Sequence, residues 1–177
     1  MEERSHRTGH STWHRLGFES DVSRIEVDLQ WFPVVLQRWP DPVSDAALEV
    51  FFQAIDDAAR RAQREHTFYV TVSAAQGVLE PAQRRRVAQW IRTQPRELRE
   101  RAIGSYVVIK APVQRGIVTA LRWVLPEMKA VFAVDTIESA VEGALATLKA
   151  RGVAAPSSHQ VLRYIAATSV SQVRDAR

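Results

Sequence analysis

The sequence predicts an α/β fold: a mixed sheet of about five strands with helices packed on it, in the order β-β-α-β-α-β-α-β-α. Three observations carry this. Residues 24–39 hold two β-rich runs with only Trp31-Phe32-Pro33 between them. Beyond them, short β-branched and aromatic runs alternate with segments whose apolar residues recur at helical spacing. The 177 residues show no internal repeat and no low-complexity segment, and 46% of them are hydrophobic, enough for one core. A hairpin followed by strand–helix alternation implies a sheet that is parallel over most of its width.

Each element has its own justification. Residues 1–22 are polar with no sustained period and read as a disordered tail. From Arg24 to Gln30, Ile25, Val27 and Leu29 alternate with Glu26, Asp28 and Gln30, the signature of a half-buried strand with its polar side in water. Val34, Val35 and Leu36 continue the β character to Trp39, and Pro33 belongs at a turn or strand end, giving an antiparallel hairpin. Ser44 or Asp45 caps a helix with Leu48, Phe51, Phe52, Ile55, Ala58, Ala59 and Ala62 on one face. Thr67–Val72 is a buried strand, Ser73–Leu79 a loop, and Glu80-Pro81 opens a helix with Val87, Trp90 and Ile91 inward. Pro95 begins a short turn, and Ser105–Ile109 is the next strand. Pro112 starts a helix that Pro126 stops, and Lys129–Val134 is the last strand. Thr136 caps a final helix that Gly152 closes. The domain spans residues 23–152, and 153–177 is a weakly helical C-terminal extension.

Composition excludes several classes. Without cysteine there are no disulfides and no thiolate zinc sites. No apolar run approaches the roughly 20 residues of a membrane helix, and the N-terminal residues lack an apolar signal core. A soluble, cytoplasmic domain with no membrane association is expected. The net charge of +4 is unevenly placed: residues 21–79 carry five basic and nine acidic side chains, and residues 80–130 carry eleven basic and four acidic. Such asymmetry steers charged partners.

Three stretches carry a family likeness. They are Pro81-Ala82-Gln83-Arg84-Arg85-Arg86-Val87-Ala88-Gln89-Trp90, Val113-Gln114-Arg115-Gly116-Ile117-Val118-Thr119-Ala120, and Val131-Phe132-Ala133-Val134-Asp135-Thr136-Ile137-Glu138-Ser139-Ala140. With the element order, they resemble the STAS domain of the bacterial anti-sigma-factor antagonists, over about 130 residues. The resemblance implies a regulatory, non-enzymatic protein-interaction module. STAS antagonists are switched by phosphorylation in an Asp-Ser-Gly-like turn before the second helix. Here that stretch reads Ser73-Ala74-Ala75-Gln76-Gly77-Val78-Leu79-Glu80. Ser73 replaces the acid and no Ser or Thr opens the helix, which argues against a phosphoswitch there.

No catalytic constellation emerges. There is no Gly-x-Ser-x-Gly elbow, and His66 is the one histidine inside the domain. Asp56 and Asp57 are adjacent helix positions that read as solubility charges. His6, His10 and His14 have helical ligand spacing, but Gly9 and the polar tail disfavour a metal site, so neither metal nor cofactor is expected.

The candidate partner-binding residues are Arg84, Arg85 and Arg92, meeting carboxylates or phosphates, with Val78 and Leu79 supplying apolar contact. The plain alternative is a solvated helix face. Ser73, Arg115 and Gly116 are candidates for a small anion or ligand pocket at a helix start. Trp31, Trp39 and Trp123 are candidate exposed anchors. A regulatory protein partner is the leading expectation. A small-molecule or lipid-binding domain is the alternative, and salt-dependent nucleic-acid binding through the basic middle segment comes third.

Overall fold

The computed structural model describes residues 25–75, 79–110 and 130–175. Five strands, β1 (Glu26–Asp28), β2 (Val34–Trp39), β3 (Tyr69–Ala75), β4 (Ala102–Val108) and β5 (Val131–Val134), lie side by side in chain order. β1 is antiparallel to β2, and each later pair is parallel. The described helices are α1 (Asp45–Arg64), α2 (Pro81–Thr93), α3 (Arg96–Arg99), α4 (Ile137–Ala150) and α5 (Ser158–Asp175). An α/β architecture with a mixed five-stranded sheet and helices packed on it is therefore what the chain adopts.

Strand alternation sorts side chains to the two sheet faces, and both faces are covered. Ile25, Val27, Val35 and Tyr69 meet the buried face of α1, with Val87 and Trp90 of α2 and Leu98 of α3 packed beside them. Val34, Leu36, Val70, Val72, Tyr106 and Val108 meet Ala140, Val141, Ala144 and Leu148 of α4 and Val161 of α5. Such double coverage explains why β2 reads as a continuous apolar run over Val34, Val35 and Leu36.

Capping sets the helix ends. The Ser44 hydroxyl accepts a hydrogen bond from Ala47 N at 3.1 Å, and Thr136 Oγ1 accepts from Ser139 N at 3.1 Å. Gly152, just past the end of α4, has φ +70°, the left-handed conformation that glycine adopts without Cβ strain. The β3 strand runs on to Ala75, into the segment expected as a loop, because it pairs with Trp39 on one side and Val108 on the other. β4 begins at Ala102 rather than Ser105, paired with Tyr69. The helix expected from Pro112 lies outside the described residues.

Two expectations are corrected by the second covered face. The polar side of β1 does not all face water: Glu26 is half-buried and Asp28 fully buried, while Gln30 beyond the strand is exposed. Gln30 N donates to Asp28 Oδ1 at 2.8 Å, and Tyr164 Oη donates to Asp28 Oδ2 at 2.6 Å. Nor do residues 158–168 stand apart from the sheet. Val161 of α5 is fully buried in the α4-side core, with Leu162, Tyr164 and Ile165 packed against it. A narrow apolar stripe suffices because it needs to seal only the groove between α4 and the β1–β2 hairpin.

Candidate functional site

The α2 helix is positioned from its inner side. Trp90 stacks on Phe52 of α1 with centroids 4.8 Å apart and rings 18° from parallel, while Phe51 lies 5.9 Å away. Gln83 is buried and joins α2 to the loop before α1: its Nε2 donates to Val43 O at 2.7 Å, and its Oε1 accepts from Glu80 N at 3.0 Å. Glu80-Pro81-Ala82-Gln83 has the spacing of a capping box, the signal by which sequence alone identifies Gln83.

With that face buried, Arg84, Arg85 and Arg92 are all exposed, as the helical period requires. The remaining arginines of this segment divide by what they touch. Arg86 turns to α1, where it pairs with Asp45 at 2.9 Å and with Glu49. Part of the acidic front half thus neutralises part of the basic middle inside the fold. Arg84 Nη1 donates to Leu79 O at 2.8 Å, folding the guanidinium back over the helix start. Arg96 pairs with Glu100 at 2.6 Å, and Glu100 holds the Arg96 guanidinium above its ordinary pKa. Arg101 lies over the Phe68 ring and reaches Thr67 O at 3.3 Å. By exposure, the basic surface of this segment comprises Arg84, Arg85, Arg92, Arg96 and Arg99.

The apolar contribution is smaller than expected. Leu79 is half-buried and packs against the α1-side core, so its side chain is engaged within the fold. Val78 lies outside the described residues.

Of the expected anion pocket, the described residues include Ser73 alone; Arg115 and Gly116 lie outside them. Ser73 is buried, and its hydroxyl donates to Gln37 Oε1 at 2.7 Å. The same oxygen accepts from Trp39 Nε1 at 3.2 Å. Thr71 Oγ1 donates to Ser105 Oγ at 2.8 Å on the same sheet face. These groups form a satisfied polar ladder across β2, β3 and β4.

The tryptophan anchors are also corrected where described. Trp31 is half-buried against the α4-side core with Tyr164 5.7 Å away, edge to face. Trp39 is half-buried with Phe51 at 4.7 Å. Trp123 lies outside the described residues, as do His6, His10 and His14.

His66 is exposed just past α1. Asp57 is exposed and pairs with Arg60 at 3.4 Å. Asp56 differs from its neighbour because burial raises its carboxyl above the usual range, opposed by the Arg60 charge and by the nearby Gln94 and Trp90 side chains. Burial likewise raises the Tyr69 phenol, with the Asp56 charge adding to it.

Among the described residues, no group of three or more His, Asp or Glu side chains could hold a metal ion. A cleft of about 40 Å³ opens between the ends of β2 and β3, the start of α4 and α5, lined by Leu36, Arg38, Val72, Ile137, Ile165 and Thr168. It has room for water-sized occupants, far below the roughly 300–1,000 Å³ of ligand pockets. No helix among the described residues is long and apolar enough to cross a membrane. The chain matches no protein-family model, no curated protein and no solved structure.

Proposed function

We propose that this chain is a non-enzymatic regulatory module of STAS-like type that docks a protein partner through α2. The observation that carries this reading is the outward stripe of Arg84, Arg85 and Arg92 on a helix whose opposite face is stacked into the core. A helix held this way presents guanidinium groups without ordering a backbone on binding, which lowers the cost of association. Guanidinium forks match carboxylate geometry, so the partner surface is acidic.

The test compares wild type with the Arg85→Glu/Arg92→Glu variant. Both positions are exposed, so the variant should melt within a few degrees of wild type. A photo-crosslinker at position 89, between the two arginines, should trap a discrete protein from native lysate in wild type and lose it in the variant. Trapping that persists in the variant overturns the α2 surface. Trapping abolished by nuclease, with binding that falls steeply as salt rises, supports nucleic acid instead.

A further inference from the structure

We infer that α5 is a strap that opens on its own while the sheet stays folded, latched by the Tyr164–Asp28 hydrogen bond. The latch joins residues 136 positions apart and ties the last helix to the first strand at 2.6 Å.

Two features set α5 apart from α4. The first is how little its residues 158–168 bury completely. α4 contributes Ala140, Val141, Ala144 and Leu148, all at 0% exposure, whereas among residues 158–168 of α5 Val161 alone is fully buried. Segments with few buried apolar contacts open at lower free energy than the core to which they are attached. α5 is also joined to α4 through Arg151–Ser157, a stretch without regular structure that passes through Gly152 in its left-handed conformation. Its movement therefore breaks no strand or helix.

The second feature is the surface that α5 covers. An ordinary core helix uncovers only apolar surface when it lifts. α5 instead lies over the Asp28 carboxylate, fully buried, and beside Arg38, which pairs with Glu26 at 3.2 Å. A buried carboxylate regains hydration when the helix leaves, and this offsets part of the lost packing and the lost Tyr164 bond. Opening uncovers the Glu26, Asp28 and Arg38 side of the hairpin, on the sheet face away from α2.

Hydrogen exchange on the full chain tests the strap. In wild type, amides of residues 161–168 should be at least about tenfold less protected than those of β3. Tyr164→Phe removes the latch donor and should speed exchange in that segment by about tenfold or more. Val161→Ala should speed the same amides. In both variants β3 should stay more protected than α5, because its amides exchange only through a costlier opening. Equal protection of α5 and β3 in wild type overturns the strap. So does a Tyr164→Phe variant whose α5 amides exchange no faster than those of wild type.

Discussion

The Tyr106 ring of β4 lies against the backbone of α4 at Gly143, so closely that a Cβ there would stand 3.0 Å from Tyr106 Cδ1 and closer still to Cε1. The Tyr106 hydroxyl meets Thr147 Oγ1 at 2.7 Å one turn further along the helix, and Phe132 stacks beside the ring at 4.9 Å. Gly143 is the position that lets α4 sit flush on the sheet. Gly143→Ala should destabilise the domain by about 1–3 kcal/mol through overpacking, despite the better helix propensity of alanine. Denaturant melts that show the variant as stable as wild type would contradict this packing.

Arg86 and Arg85 are neighbours with different surroundings. Arg86 spans to Asp45 and Glu49 on α1, although all three side chains are more than a third exposed. Solvent screening limits such contacts, so Arg86→Ala should cost no more than about 1 kcal/mol. Arg85→Ala should change stability by less than about 0.5 kcal/mol. Thermal melts at low and high salt should show the Arg86 effect shrinking as salt rises.

The raised carboxyl of Asp56 sets the sign of a pH dependence. Because the folded state holds the Asp56 proton more tightly than the unfolded chain, this residue lowers stability as pH rises from the unfolded value through the folded one. The deficit is complete above the folded value and absent below about pH 4, the ordinary aspartate range. Asp56→Asn should therefore gain stability over wild type at neutral pH, with the gain fading as pH falls to that range. Paired melts across pH would reverse the assignment if the variant were the less stable at neutral pH.

His66 occupies the left-handed region at φ 51°, past the end of α1, where its N–H reaches Gln63 O at 3.2 Å. Glycine adopts this conformation without the Cβ penalty of about 1–2 kcal/mol, while adding entropy to the unfolded chain. His66→Gly should be neutral to about 1 kcal/mol stabilising, and His66→Val should be destabilising. The order of the three midpoints in urea checks both.

Local pattern by itself determined much of this protein. The alternation of Ile25, Val27 and Leu29, the apolar face of α1 and the caps at Ser44 and Thr136 are properties of short windows, and they appear where the periodicity places them. The outward direction of Arg84, Arg85 and Arg92 follows in the same way, because Val87 and Trp90 fix the inner face of α2. Tertiary structure decided what depends on neighbours distant in sequence. Asp28 has the same alternating context as a solvated strand residue, yet it is buried because α5 returns to cover it. Ser73 resembles a loop residue until β2 and β4 pair with β3 on either side. Trp31 and Trp39 bracket a hairpin as exposed anchors would, but aromatic partners on α5 and α1 take up their rings. Periodicity reports that a side chain has a face; only the packed layers determine whether that face meets water or another element.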